Sequence, residues 1–358
     1  MKKLTVDLPG REYDILIQPG VLERAGEAIR AVCPRAKTLF LVTDTNVGPL
    51  YAQRVRESAQ AAGLRVAVHT VPAGEGSKCA PRLSELWEAM MAAGMTRTDA
   101  VAALGGGVVG DLAGFAAATV LRGVDFIQIP TTLLAQVESS VGGKVAIDLA
   151  AGKNLAGAFY QPRLVLMDPD VLATLPDAVF SDGMAEVIKY GCIRDRAFFD
   201  FLAQRPSRAA VMGEIGHVLY TCCDIKRRVV VADEHDTGER MLLNFGHTIG
   251  HAYELAGHYE TYPHGQAVAA GMAASVRLGE QLGVTPGDVY APLASLLSAF
   301  SLPAAIPCPK DTLERAVGLD KKGAGDGITL ILLESLGQAV PFPMKKAALL
   351  RSLEVLHS

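Results

Sequence analysis

The chain has 358 residues, 50% of them apolar and 20% charged, with a formal net charge of −4. That length accommodates about two domains with ample cores. The slight acidic balance excludes an extended nucleic-acid surface, which needs a basic excess, but leaves room for a local basic pocket. No apolar run reaches the length of a membrane span, and the N-terminus carries no apolar leader, so a cytoplasmic protein without a membrane partner is expected. The six cysteines, at 33, 79, 192, 222, 223 and 308, form no Cys-x-x-Cys pair and read as reduced thiols.

In chain order, Leu4–Leu8 and Tyr13–Ile17 alternate around Pro9-Gly10 and predict a hairpin. Thr38–Thr43 predicts an apolar strand ending at Asp44, followed by a helix to about Ala62. Arg65–Val71 predicts a second strand, with a helix near Pro81–Ala93. Ala100–Leu104 runs into Gly105-Gly106-Gly107-Val108-Val109-Gly110-Asp111 and a small-residue helix, and Phe126–Pro130 and Leu164–Asp168 add two strands. Near-continuous apolar strands separated by helices mean a mostly parallel, Rossmann-like sheet covered on both faces. From about Asp177 helical periodicity dominates, with Ile328–Leu333 as an isolated strand. The expected architecture is an α/β domain over 1–177 and a mostly α-helical domain over 178–358. A catalytic cleft is expected between them, where ligand sites favour domain interfaces and strand carboxyl ends.

The stretch Asn244–His264 carries the chemistry. On a helix, His247 and His251 stack one turn apart, and His264 opens the apolar-periodic run Ala267–Leu282. Three imidazoles suit a divalent transition metal with one position open, and Glu186 in Gly-Met-Ala-Glu-Val-Ile-Lys is a candidate anionic ligand. The competing reading of such a histidine pair is simple packing. Gly105-x-Gly107-x-x-Gly110 follows a strand and opens a helix, the setting of a dinucleotide phosphate turn; a tight turn under close helix packing is the alternative. Asp44 is suited to ribose hydroxyls, which favours NAD over NADP. Hydroxyls, paired glycines and cations in Pro130-Thr131-Thr132…Glu138-Ser139-Ser140…Gly142-Gly143-Lys144 and Gly152-Lys153-Asn154 suit a grip on phosphate. Arg227 and Arg228 read as a solvated helix face.

The segments Gly105–Phe115, Pro130-Thr-Thr-Leu-Leu, Ser139–Lys144, Gly152–Asn154, Met184–Gly191, Leu243–Ala252 and His264-Gly come in the order found in the 3-dehydroquinate synthase family. The chain resembles that family over nearly its whole length. The resemblance implies an N-terminal NAD-binding domain, a C-terminal metal domain and a homodimer. The activity it implies is conversion of 3-deoxy-D-arabino-heptulosonate 7-phosphate to 3-dehydroquinate and phosphate. The route is transient oxidation by NAD, phosphate elimination, reduction, ring opening and aldol closure, a step of the shikimate pathway to aromatic amino acids.

By the same resemblance Glu186, His247 and His264 hold zinc or cobalt, and His251 becomes a substrate neighbour. Asp44, Asn46, Glu75, Lys78, Gly105, Gly106, Gly107, Asp111, Thr131, Thr132, Thr174 and Leu175 match NAD contacts. Arg122, Lys144, Lys153, Asn154, Lys189, Lys226, Arg240, Asn244 and His251 match positions that hold substrate, with Lys144 and Lys153 falling in both sets. Lys321 or Lys322 resembles a further phosphate contact. Two positions depart from the family pattern: Glu138 stands where an aspartate is usual, and Asp236 where a glutamate is. The rivals are another sugar phosphate cyclase, disfavoured by retention of Arg122, Asn244 and His251, and a metal-dependent polyol dehydrogenase, which has no use for so many phosphate-binding cations. A catalytically inert NAD-binding protein is disfavoured by the intact ligand set.

Overall fold

The structure is a computed structural model that describes residues 1–236, 238–257, 261–309, 311–312, 315 and 326–357. Lys321 and Lys322 lie outside the described residues. Two compact units are present: Met1–Pro176 with Leu219–His235, and Asp177–Val218 with Asp236–Ser358.

The first unit contains, in chain order, β1 (Lys2–Val6), β2 (Tyr13–Ile17), α1 (Ala25–Val32), β3 (Thr38–Asp44), α2 (Gln53–Ala61), β4 (Arg65–Val71), α3 (Ala80–Ala92), β5 (Ala100–Gly105), α4 (Gly107–Thr119), β6 (Asp125–Pro130), β7 (Lys144–Leu149), β8 (Gly152–Phe159) and β9 (Leu164–Met167). Seven strands form one sheet in the order β1-β2-β9-β6-β5-β3-β4. Its pairs are parallel apart from the β1–β2 hairpin. The period-two geometry of a strand sorts its side chains to two cores. Leu39 and Leu41 pack with Ile29 and Val55 on one face; Phe40 and Val42 pack with Leu86, Met90, Leu112 and Ala116 on the other.

The chain winds outward from β3 to β4, then crosses back past β3 to begin β5. The carboxyl ends of β3 and β5 therefore flank a topological switch point, where open α/β sheets bind ligands. Asp44 ends β3 and Gly105 ends β5.

Two features of this unit were not expected. Residues 144–159 form the antiparallel β7–β8 hairpin, whose Val145 and Ile147 join the core beneath α4. The segment Leu219–His235 also belongs to the first unit, although the boundary expected at 177/178 puts it in the second. Cys223 Sγ lies 3.4 Å from the Gln136 carbonyl oxygen and 3.8 Å from Met167 Sδ.

The second unit contains α5 (Asp177–Arg194), α6 (Arg196–Ala203), α7 (Arg208–Met212), the start of α8 (Ile215–Ala232), α9 (His247–Ala256), α10 (His264–Gln281), α11 (Tyr290–Ala299), β10 (Gly327–Ser335), β11 (Gln338–Lys345) and α12 (Lys346–His357). Helix α10 packs against both α9 and α5. Its buried face is built from Ala267, Ala270, Gly271 and Ala274, small residues that let neighbouring backbones approach. The strand expected at Ile328–Leu333 is not isolated: it pairs with β11 in an antiparallel ribbon.

None of the six cysteines, all among the described residues, forms a disulfide. Burial pushes the thiols of Cys33 and Cys223 up to about 12 and raises that of Cys192 as well, so their reactive thiolate is scarce. Brief alkylation of the native protein near neutral pH is expected to label Cys79 and Cys308, the two partly exposed thiols. Peptide mass mapping that finds Cys33, Cys192 or Cys223 labelled first contradicts this.

Candidate functional site

Three helices of the second unit converge on one cluster. Helix α5 carries Glu186 and, one turn later, Lys189, both fully buried. Helix α9 begins at His247, and α10 begins at His264 immediately after Pro263. The backbone N–H of Gly265 donates to the Asp182 carboxylate, so the start of α10 is capped by the helix that bears Glu186. A Cβ at Gly265 would lie 2.0 Å from the Asp182 carbonyl oxygen; only glycine lets the two helices come this close.

His247 Nε2 lies 3.4 Å and His264 Nε2 3.5 Å from Glu186 Oε1. The three ligand atoms all fall within 4.8 Å of one another. Ligands at zinc bond lengths on a tetrahedron stand about 3.3 Å apart, so the Glu186–His247 and Glu186–His264 pairs already stand near the spacing of a bound divalent ion. The other ring nitrogens support this orientation. His247 Nδ1 is 3.2 Å from the Phe245 carbonyl oxygen, which can only accept, so Nδ1 carries the proton and Nε2 presents its lone pair. The Glu186 carboxylate is matched in charge by the Lys189 ammonium touching Oε2. A buried carboxylate oxygen with two imidazole nitrogens 3.4 and 3.5 Å away is a donor set for a cation once the proton on His264 is displaced.

Burial and then the Lys189 ammonium push His247 down to about 3. Burial also opposes protonation of His264, but the Glu186 and Glu254 carboxylates outweigh it and push that imidazole up to about 10. Because 32% of the His264 side chain stays exposed, water screens part of this effect. Across neutral pH the metal-free cluster thus holds one proton, on His264, and a bound ion must displace it. Apparent zinc affinity is expected to fall about tenfold for each unit of pH decrease, the signature of one displaced proton. Competition against a chromophoric chelator measures the slope; a value near zero or near two protons contradicts the assignment.

His251 is 61% exposed, its ring 5.7 Å from that of His247. It lies outside the ligand cluster, unlike the stacked pair suggested by spacing alone. Arg240 is buried and Asn244 half-buried on the turn leading into α9. Asn244 Nδ2 donates to the Met241 carbonyl.

The remaining candidates lie in the first unit. Gly106 precedes α4 without any side-chain cap, so the first amides of that helix are open to an anion. A Cβ on Gly106 or Gly107 would come within 3.1 Å of Thr132 or Ser139, filling the space in which a phosphate would approach the backbone. Lys78, buried, bonds Asp111 at 2.6 Å and faces Glu75 at 3.8 Å. Asp44 Oδ1 accepts from the amides of Asn46 and Val47. The Thr131 amide donates to the Gly105 carbonyl, and Thr132 Oγ1 accepts from Ala135. Thr174 Oγ1 is 2.6 Å from the Tyr51 hydroxyl, and Leu175 ends that turn. These glycines, with Asp44 at the switch point, fit a dinucleotide.

Lys144 opens β7 and is exposed, while Lys153 and Asn154 sit at the start of β8, with Asn154 at φ 55°. Leu121 and Arg122 are consecutive non-glycine residues at φ 50° and 67°, a strained turn that persists only where its surroundings over-determine it. Glu138 Oε1 pairs with Lys226 Nζ at 2.7 Å; the glutamate at this departing position reaches a lysine buried on α8. Arg227 and Arg228 pair with Asp224 on their own helix. Asp236 has φ 59°. Sequence reasoning missed Asp182 and Glu254, although one lies a turn before Glu186 and the other at i+7 from His247, spacings that put each on the relevant helix face.

A Rossmann-like unit with an uncapped glycine turn, joined in one chain to a helical unit carrying a carboxylate–imidazole cluster, fits the class of nucleotide- and metal-dependent enzymes. Within it, the model of the 3-dehydroquinate synthase N-terminal domain matches residues 68–182 and that of the C-terminal domain residues 183–323. The 3-dehydroquinate synthase of Clostridium botulinum (strain Alaska E43 / Type E3) is 46% identical over 340 residues, 95% of this chain and 97% of that one. The crystal structure of 2-deoxy-scyllo-inosose synthase complexed with carbaglucose-6-phosphate, NAD+ and Co2+ superposes with a TM-score of 0.88 at 26% identity, covering 98% of each chain. The 2-epi-5-epi-valiolone synthase of Streptomyces hygroscopicus subsp. jinggangensis 5008, with NAD+ and Zn2+ bound, gives 0.85 at 26% identity, covering 96% of each. The chain belongs to the 3-dehydroquinate synthase family. Among the described residues no helix is long and apolar enough to cross a membrane.

Proposed function

We propose that this enzyme is a carbon–oxygen lyase that converts 3-deoxy-D-arabino-heptulosonate 7-phosphate to 3-dehydroquinate and phosphate, with NAD and one divalent metal as resident cofactors. The observation that carries the reading is the convergence of Glu186, His247 and His264 in a chain of this family. A different sugar phosphate cyclase is the second reading. It is disfavoured because identity is 46% to the dehydroquinate synthase but 26% to the inosose and valiolone synthases. The cytoplasmic location and homodimer implied by the resemblance belong to the same proposal.

In this reading Glu186, His247 and His264 hold the metal, and the glycines 105–107 with Asp44, Asn46, Glu75, Lys78, Asp111, Thr131, Thr132, Thr174 and Leu175 hold NAD. The metal's chemistry is Lewis-acid polarisation of substrate hydroxyls; the nicotinamide's is taking up and returning a hydride. The protein's own task is to hold a substrate bearing carboxylate and phosphate in one conformer. Lys144, Lys153, Lys189, Lys226, Arg122 and Arg240 neutralise its charge, while Asn154, Asn244 and His251 orient its hydroxyls. Oxidation next to the reacting carbon acidifies its hydrogen, and phosphate leaves by elimination. The departing phosphate oxygen accepts that proton, so no dedicated protein base is needed.

The test is an assay of purified protein with the heptulosonate phosphate, NAD and zinc. Inorganic phosphate and dehydroquinate should appear in equal amounts with no net NADH. Phosphate released only from another sugar phosphate would make it a different cyclase, and NADH accumulating from a simple polyol would make it a dehydrogenase.

A further inference from the structure

One buried carboxylate near the cluster has no role in the reading above. Glu254 lies on the last turns of α9, three residues after His251 and seven after His247, so all three share one helix face. It is 3% exposed. A carboxylate this deep is costly unless donors surround it, and histidine nitrogens are among those that do. Glu254 Oε1 stands 3.3 Å from His264 Nδ1, and Oε2 stands 4.0 Å from His251 Nε2. The first contact is a hydrogen bond. The second is too long for one and acts through charge alone.

The geometry of the His264 ring gives the first contact its meaning. Its Nδ1 faces Glu254 while its Nε2 faces Glu186 Oε1 at 3.5 Å. A carboxylate accepting from Nδ1–H keeps the lone pair on Nε2, fixes the rotation of the ring and raises the basicity of the nitrogen that would meet an ion. His247 obtains the same service from a backbone carbonyl, which no substitution removes. His264 obtains it from a side chain, and that side chain belongs to a different helix from its own. The start of α10 is thus tied at two points: its backbone to Asp182 on α5, its leading imidazole to Glu254 on α9.

We infer that Glu254 is a positioning residue for the metal centre, holding His264 so that Nε2 faces Glu186. It is not itself a ligand, since its carboxylate lies on the far side of the ring. The inference rests on the metal reading of Glu186, His247 and His264.

The experiment uses full-length metal-free protein, wild type, Glu254→Gln and Glu254→Ala. Zinc affinity is measured by chelator competition, and the visible spectrum is recorded after loading with cobalt(II). Circular dichroism checks the fold, and Glu254→Gln keeps side-chain size if the alanine variant fails to fold. Glu254→Gln is expected to weaken zinc binding about 10–100-fold, the usual cost of removing a partner behind a ligating histidine, and Glu254→Ala at least as much. The cobalt absorption bands should shift in both, a change that a merely structural role would not produce. Wild-type affinity and an unshifted cobalt spectrum in folded Glu254→Gln would overturn the inference while leaving the metal centre intact. A wild-type protein that binds neither ion would overturn the metal reading and the inference with it.

Discussion

His264→Ala is expected to abolish metal retention and lower turnover by on the order of 1,000-fold, the scale seen when a group aimed at developing charge is removed. The substitution deletes one of three atoms that close within 4.8 Å and leaves a carboxylate and one imidazole, too few to hold an ion against solvent. The loss should exceed the about 10–100-fold cost of removing a supporting partner. The fold should survive, because alanine is a good helix former and the Gly265 amide still reaches Asp182. Metal analysis of the purified variant and the phosphate-release assay measure the two effects. Full activity with normal metal content would remove His264 from the centre.

The second large effect is expected from Lys189→Ala. Lys189 and Glu186 are both fully buried and in contact. Burial by itself would raise the Glu186 carboxyl, but Lys189 first and the two histidines after it hold it well below the usual carboxylate range. Removing one partner of such a pair costs about 3–5 kcal/mol, because the other is left as an uncompensated buried charge. The metal-free variant should therefore melt about 6–20 °C lower than wild type. Zinc should restore part of the difference, since an ion replaces the missing positive charge and binds only the folded state. Because the folded value of Glu186 lies below its ordinary 4.5, the stability it contributes is present at neutral pH. That stability is lost as pH falls from 4.5 toward the depressed folded value. Calorimetry with and without zinc decides the matter: an unchanged metal-free melting temperature would show that Glu186 does not depend on this lysine.

Much of the first unit was legible because its central strands are buried on both faces and so read as nearly unbroken apolar runs. β3 and β5 are found where those runs predict them. The β7–β8 hairpin was hidden because much of it is half-exposed and carries no continuous apolar run. β11 was hidden by Pro341 and Pro343, which argue against a strand. Two residues apart, they point their missing N–H positions to the same outer edge of a two-stranded ribbon, where no hydrogen bond is lost.

The cluster shows the same division. The residue types, the one-turn spacing of His247 and His251, and the helix start at His264 belong to local sequence, because a helix converts spacing into a shared face whatever surrounds it. Which imidazole meets Glu186 does not. That depends on α5 and α10 closing together across Gly265, a contact between residues 83 positions apart, and it leaves His251 in solvent. The return of Leu219–His235 to the sheet unit is a decision of the same kind. Periodicity names the apolar face of α8 but not the surface that buries it. Sequence alone settled the parallel sheet, the glycine turn after β5 and the donor types; tertiary packing selected which donors converge, because hydrogen bonds along a helix act within a turn while burial acts between elements far apart in the chain.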